Sequence, residues 1–297
     1  LIISQFAILY SLQKEFMNAL MKLTGGNAYQ PSDLEALIMG ESTTDENAFD
    51  MMATRLHIAP GGTGNFVSTD GAISLRKLEG IVAVSQKARA YWPGKALGKP
   101  PICASADGLT GTFNFSADTA QTSEAIHSGT VHPAIRLMDT DGSAPETYNC
   151  TTCPLAQWGS SRGKGQACKS LRRLIIVLDG MAMPIVLTLP PTSVAAWDAY
   201  CSSLRQKRSE YFAVRTTFGL ERQSTPNGEP YSVVKLESGI SLKIDDVKAV
   251  IEVRRQFEDW VRSKGISAED YTDASPVEVK VATVADDDGS TVQEIPF

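Results

Sequence analysis

The stretch from about residue 100 to residue 170 constrains the fold of this 297-residue chain more than any other. It is rich in glycine, serine, threonine and cysteine, and it shows little of the periodicity that predicts a helix or a strand. A bare loop of that length is unusual inside a compact domain. We therefore expect something other than a hydrophobic core to hold this segment in place.

Four of the five cysteines lie in this segment, with the spacing C-x46-C-x2-C-x14-C. A C-x2-C pair lets two thiolates point at one ion, and a tetrahedral Zn²⁺ needs two further ligands. Cys168 follows the pair at zinc-ribbon spacing, and Cys103 is the best fourth candidate, with His127 and His132 as runners-up. Four protein ligands leave no open position, which indicates a structural site. The predicted zinc ligands are Cys103, Cys150, Cys153 and Cys168.

Other readings of these cysteines stay open. A redox-active C-x-x-C pair would need a thioredoxin-like context, which the sequence does not show. Disulfides would need an oxidising compartment, and the thiols could also be unconnected buried side chains. The fifth cysteine, Cys201, lies on the apolar face of a predicted helix and is expected to pack in the core.

The rest of the chain predicts short strands and a few helices. Residues 55–92 alternate apolar positions with glycine-rich turns, and "GGTGNF" favours a hairpin turn over a phosphate loop because no Lys-Ser/Thr ending follows it. "LRRLIIVLDGMAMPIVLTLPP" predicts two strands, and "TSVAAWDAYCSSLRQK" predicts a helix with Thr192 or Ser193 as its N-cap. Two more strands and a long final helix, ending at Gly265, follow.

These elements predict a β-rich α+β fold. We expect an OB-like barrel with a zinc-stabilised loop insertion and flanking helices. The predicted organisation is an N-terminal helical segment over residues 1–54, an OB-like body over residues 55–266 with the insertion at about 100–170, and an acidic disordered tail over residues 267–297.

Charge is distributed unevenly between body and tail. The formal net charge is -6, but residues 267–297 carry eight acids and one base, which leaves the other 266 residues at about +1. The acidic composition of the whole chain therefore does not argue against a nucleic-acid partner.

Two cationic runs without acids flank the cysteines, and each contains a tryptophan. Cations that follow phosphates and aromatic rings that stack on bases are the parts from which single-stranded nucleic-acid sites are built. The alternative is that the charges are solvated and the rings pack beneath the metal loop. The predicted nucleic-acid contacts are Lys87, Arg89, Tyr91, Trp92, Lys95, Lys99, Trp158, Arg162, Lys164, Lys169, Arg172 and Arg173.

No catalytic pattern is evident, and we expect the protein not to be an enzyme. The chain has three histidines and none of the common hydrolase, metalloprotease or deaminase motifs. Asp107, Asp139 and Asp141 could bind a nuclease metal, but their "SADG" and "DTDG" contexts are typical of turns.

The end of the chain resembles the C-terminal tip of bacterial single-stranded DNA-binding proteins. Three aspartates, residues 286–288, precede the final Glu294, Ile295, Pro296 and Phe297, which we call the tip. In that family an acidic linker ends in an acidic-Ile-Pro-Phe motif, whose phenylalanine and terminal carboxylate dock on replication and repair proteins. Here six residues separate the aspartates from Ile295, and only Glu294 lies directly beside it.

The middle of the chain, around "PPICASADG" and "NCTTCPLAQWGSSRGKGQACKSLRRL", resembles phage and mobile-element proteins encoded near recombination genes. Zinc-bearing, OB-like single-stranded DNA-binding proteins occur among such phage proteins. The resemblance implies a DNA-binding role in replication or recombination over about residues 55–265.

We therefore predict a single-stranded DNA-binding protein that recruits partners through its tip and that could also assemble with copies of itself. The alternatives are a strand-annealing or recombination-mediator protein, a metal-dependent nuclease and a zinc-ribbon protein adaptor. No apolar run reaches the ~18 residues of a membrane span, and the N-terminal region lacks the features of a secretory signal, so we expect a cytoplasmic protein with no membrane partner.

Overall fold

The protein is a β-rich α+β structure in the computed structural model, which describes residues 54–92, 100–113, 147–161, 165–179, 183–263, 266 and 270–271. Within these residues, eleven strands form one mixed sheet, and two α-helices pack on it. The strands are β1 (Arg55–Ile58), β2 (Phe66–Ser68), β3 (Ser74–Leu75), β4 (Leu78–Tyr91), β5 (Cys103–Ser105), β6 (Thr110–Phe113), β7 (Thr147–Asn149), β8 (Cys168–Leu178), β9 (Ile185–Leu189), β10 (Val214–Ser224) and β11 (Pro230–Ser241). The helices are α1 (Pro191–Gln206) and α2 (Ile244–Ser263).

Strand β4 connects the two parts of the sheet. It has 14 residues and pairs along its length with β8, with a bulge between Val82 and Val84. On its other side, residues 78–81 pair with β10, whereas residues 89–91 pair with β5. One end of β4 therefore belongs to the larger part of the sheet, which we call the main sheet. The other end supports the smaller part, formed by β5, β6 and β7 of the cysteine-containing segment.

The core lies on both faces of the main sheet. Along β8, Leu174 and Ile176 pack in the cluster that contains Trp197 of α1, whereas Ile175 and Val177 pack in the cluster that contains Val250 of α2. Side chains alternate between the two faces of a strand. A strand covered by a helix on each face therefore needs apolar residues at successive positions, which explains the continuous "LIIVL" run.

The predicted strands and helices outside the insertion are confirmed within the described residues, with one shift. "GGTGNF" lies between the antiparallel strands β1 and β2, as expected for a hairpin. Helix α1 begins at Pro191 with Pro190 as its N-cap, earlier than predicted, because proline suits the first helical position. The Ser193 side chain instead accepts a hydrogen bond of 3.1 Å from the Val234 backbone N–H of β11.

The sheet is not a closed barrel in the described residues. Its strand order is β3-β2-β1-β9-β8-β4-β5-β6-β7, and the β10–β11 hairpin branches from β4. The pair β1–β9 is parallel. The β-rich α+β class is thus confirmed, while the OB-like barrel remains a prediction.

The C-terminal segment contacts the body beyond the predicted boundary at residue 266. Asp270 is 1% exposed, and the Tyr271 ring lies 5.2 Å from that of Trp92, measured between centroids. The predicted N-terminal helical segment, except residue 54, and the rest of the tail lie outside the described residues. Neither α1 nor α2 is long and apolar enough to cross a membrane, and no other helix among the described residues is.

Candidate metal centre and nucleic-acid interface

The four predicted metal ligands come together at the end of β4. Cys103 begins β5, Cys150 follows β7, Cys153 precedes a short 3-10 turn, and Cys168 begins β8. All four line one cavity of about 20 Å³. That volume suits a single water or ion rather than an organic ligand. The other lining residues are Tyr91, Gly111, Tyr148, Leu155 and Ala156.

Strand register produces this convergence. Tyr91 of β4 pairs with Cys168 on one side and with Cys103 on the other, so the three residues form one row across the sheet. Directly opposite residues share a face, which puts both cysteines on the same side as Tyr91. The Cys150 backbone N–H donates to the Leu109 carbonyl at 2.7 Å, which brings the C-x2-C pair over this row.

Gly111 provides the space that the sulfur atoms occupy. A Cβ atom added at this position would lie 3.1 Å from the Cys103 sulfur and 3.3 Å from the Cys150 sulfur. Its neighbours on β6 carry side chains, but at Gly111 two sulfurs lie where a side chain would be. The sequence contains no signal that separates this glycine from the other glycines of the segment.

Burial makes ionisation of these thiols unfavourable. It raises the pKa of Cys168 to about 12 and that of Cys103 further, and repulsion from the neighbouring cysteines adds to the rise at both. Burial also raises the pKa of Cys150, while the Ser105 hydroxyl and the Arg89 guanidinium oppose the rise. A bound cation reverses this balance, because it stabilises thiolates directly.

The cluster fits a closed zinc site in the identity of its donors. All five cysteines are free thiols. In the part of the chain that the structure describes, no three His, Cys, Asp or Glu side chains have the spacing of a formed metal site. The strands place the four cysteines around one cavity, and rotation of each side chain about χ1 would change the distances between the sulfurs.

Cys103 is the fourth cysteine of the cavity, while the alternative ligands His127 and His132 lie outside the described residues.

Cys201 lies on α1 and packs against the main core, as predicted. Asp107 accepts hydrogen bonds of 2.7 Å from the backbone N–H groups of Leu109 and Thr110. It therefore has the turn role that its sequence context indicates.

Among the predicted nucleic-acid contacts that the structure describes, Trp158 is the one exposed aromatic residue. Its exposed fraction is 79%. Lys87 is also exposed and lies on the face of the cysteine row, whereas Lys169 is partly buried and lies on the opposite face. Four predicted cations and the tip lie outside the described residues: Lys95, Lys99, Arg162, Lys164 and, in the tip, Glu294, Ile295, Pro296 and Phe297.

The other two aromatic residues of this set are buried, which corrects their predicted position in the interface. Tyr91 is 3% exposed and lines the cysteine cavity. Trp92 is 7% exposed and packs with Leu171 and Tyr271 on the opposite face. A base cannot stack on a ring that the fold already covers, so we assign both rings to packing.

The two consecutive arginines of β8 are also buried and hold elements of the fold together. Arg172 donates to the Asp198 carboxylate of α1 at 2.5 Å. Arg173 is 1% exposed and lies 3.7 Å from the carboxylate of Asp270. These contacts correct the prediction that both arginines bind phosphates, because each is paired within the protein.

Comparison with known proteins adds no assignment. No protein-family model, curated protein or solved structure matches the chain significantly.

Proposed function

We propose that the protein binds single-stranded DNA without catalysing a reaction on it, in replication or recombination. The observation that carries this proposal is the 79% exposure of Trp158. A tryptophan ring is highly buried on average, and an exposed ring can stack on a base with about 1–3 kcal/mol per base.

The turn that carries Trp158 is internally bonded. The Gly159 N–H donates to the Gly165 carbonyl at 3.0 Å, and the Ala167 N–H donates to the Ser160 hydroxyl at 2.9 Å. Just before the ring, Leu155 is buried in the cluster that contains Tyr91 and Cys168. A ring held out by a fixed turn loses little conformational entropy when it binds.

Two cations follow this ring in the sequence, and a third is exposed on the sheet. Arg162 and Lys164 follow Trp158 by four and six residues, and Lys87 is exposed on the face of the cysteine row. These charges would contact phosphates, and such contacts weaken as salt rises because bound counterions are released from the DNA.

The same proposal includes a structural zinc ion, bound by Cys103, Cys150, Cys153 and Cys168. Four thiolates from separate segments would connect β5, the turn after β7 and the start of β8 through one ion. The connection would stabilise a segment that has a small hydrophobic cluster of its own. It would also support the Trp158 turn, which follows Cys153 by a few residues.

Partner recruitment through the tip is proposed from sequence resemblance alone. Phe297 and its carboxylate would dock on replication or recombination proteins, and the tip would not contact DNA. The tip should therefore be dispensable for strand binding and required for partner binding.

The test is a fluorescence anisotropy titration of labelled oligo-dT at two salt concentrations. We expect binding at low salt that weakens at higher salt, and Trp158→Ala should lose about 1–3 kcal/mol of binding free energy because one stacked base is lost. Ile240→Ala is the control, since Ile240 is 78% exposed but lies on β11, away from the cysteines. A chain without residues 294–297 should bind like the intact chain.

Other outcomes of the titration point elsewhere. No binding at low salt, or binding that salt does not weaken, would overturn the proposal, as would wild-type affinity in Trp158→Ala. Tighter binding to duplex DNA than to oligo-dT would indicate a duplex-binding protein instead. Magnesium-dependent loss of the oligonucleotide would indicate a nuclease, and accelerated pairing of complementary strands would indicate an annealing protein.

A further inference from the structure

Arg89 lies in the row of the sheet next to the cysteine row. It pairs with Ser170 of β8 on one side and with Ser105 of β5 on the other, two positions before Tyr91. Residues two apart on a strand share a face, and diagonal neighbours are about 7–8 Å apart, within reach of a long side chain. Arg89 therefore extends over the same face as Cys103 and Cys168.

The Arg89 guanidinium acts on the ionisation of the thiols. Burial raises the pKa of Cys168 and of Cys150, and the guanidinium charge opposes the rise at both. Its Nη1 atom is buried with no hydrogen-bond partner. In the part of the chain that the structure describes, Arg89 forms no ion pair with a carboxylate, whereas Arg172 and Arg173 of the adjacent strand both do. A buried donor without a partner calls for an explanation.

Metal binding would provide the missing counter-charge. Four neutral thiols leave a partly buried guanidinium uncompensated, which is costly. Four thiolates around one divalent cation carry two net negative charges, and a guanidinium beside them offsets one of these. Groups that hydrogen-bond to metal ligands also orient them.

We infer that Arg89 is a positioning residue of the four-cysteine metal site, which holds the Cys168 thiolate and balances its charge, and is not a contact to DNA phosphates. The inference rests on the zinc site of the proposed function. It reassigns one cation of the predicted interface and leaves Lys87, two residues earlier on the same face, as the cation of this strand that faces the DNA.

The test compares zinc affinity in the full chain. Zinc-loaded wild type, Arg89→Gln, Arg89→Lys and Lys87→Gln are titrated with a chromophoric chelator. Removal of a group that supports a metal ligand typically costs 10–100-fold in metal affinity. We expect that loss in Arg89→Gln, and a smaller loss in Arg89→Lys because lysine keeps the charge without the planar set of donors. Lys87→Gln should keep wild-type zinc affinity and bind oligo-dT more weakly.

Two outcomes of this titration distinguish a failure of the Arg89 inference from a failure of the zinc proposal. If wild type holds no zinc, the metal site fails and the role of Arg89 fails with it. If wild type holds one zinc and both Arg89 variants release it as wild type does, the role of Arg89 alone is overturned. Weaker oligo-dT binding with unchanged zinc affinity in Arg89→Gln would restore Arg89 as a phosphate contact.

Cobalt substitution controls for misfolding. The thiolate-to-cobalt absorption band of Arg89→Gln should keep its wild-type intensity at saturation, which shows that all four ligands remain available. If Arg89→Gln does not fold, Arg89→Lys carries the test, and wild-type zinc affinity in that variant overturns the inference.

Discussion

Gly111 shows how a missing side chain creates the space that two cysteine sulfurs occupy. Two sulfur atoms lie within 3.3 Å of the place where its Cβ would be, and they belong to cysteines on different segments of the chain. No left-handed backbone angle is involved at this position, so the requirement for glycine is one of space. A methyl group there would compete directly with the Cys103 and Cys150 sulfurs.

We predict that Gly111→Ala weakens zinc binding and lowers the stability of the zinc-loaded protein by about 1–3 kcal/mol, the usual cost of overpacking. Gly165→Ala is the matched control in the same segment, because among the described residues its added Cβ would meet only Ser161, at 3.9 Å. Zinc content and the unfolding midpoint measure the effect. Wild-type zinc affinity in Gly111→Ala would show that the sulfurs need not occupy the space beside this glycine.

At the scale of elements, β4 is the strand on which both parts of the sheet depend. Its first residues pair with β10 and its last residues pair with β5, while β8 runs alongside throughout. Close packing at its start depends on Gly80, where an added Cβ would lie 2.5 Å from the Val177 carbonyl oxygen. Because that atom belongs to the backbone of β8, it cannot turn away as a side chain could.

Gly80→Ala should therefore destabilise the protein by about 1–3 kcal/mol or more, through strain between β4 and β8. The control is Gly219→Ala on β10, where the nearest atom to the added Cβ is the Lys235 carbonyl oxygen at 4.0 Å. That substitution should be neutral or slightly stabilising, since alanine restricts the unfolded chain. Urea unfolding compares the two, and equal stabilities would contradict the strain at Gly80.

At the scale of the whole molecule, Asp270 joins the end of the described chain to its beginning. Its carboxylate accepts a hydrogen bond of 3.2 Å from Arg55 on β1, and it lies 3.7 Å from Arg173 on β8. The Thr188 hydroxyl of β9 donates to it at 3.4 Å. Three neighbouring strands are thereby connected to a residue that, in the sequence, is one acid among the eight of the tail.

We predict that Asp270→Ala costs about 3–5 kcal/mol of folding stability, because it leaves buried arginine charge without this partner. Asp179→Ala removes the carboxylate of the more exposed pair with Arg215 and should cost about 1 kcal/mol or less. Urea unfolding of both variants provides the comparison. Similar losses in the two would show that the Asp270 pair is no stronger than a surface pair.

Local patterns in the sequence were sufficient for the secondary structure outside the insertion and for naming the four cysteines that line the cavity. The "GGTGNF" hairpin, helix α1 and the strands β8 and β9 depend on glycine turns, proline positions and apolar runs within a few residues. The C-x2-C pair by itself predicts a metal site. The spacing from this pair to Cys168 and the turn context of Cys103 predicted the other two cysteines, and all four line the cavity.

The tertiary structure alone decided which charged and aromatic residues are free to bind a partner. Arg172, Arg173 and Trp92 belong to runs that look like a solvated cationic surface, yet each is buried against a residue far along the chain, at Asp198, Asp270 and Tyr271. Whether a cation faces solvent, a carboxylate or a cysteine cluster depends on strand register and on contacts between distant segments. Such contacts leave no periodic trace in the sequence around the cation, so the local pattern is the same in all three cases.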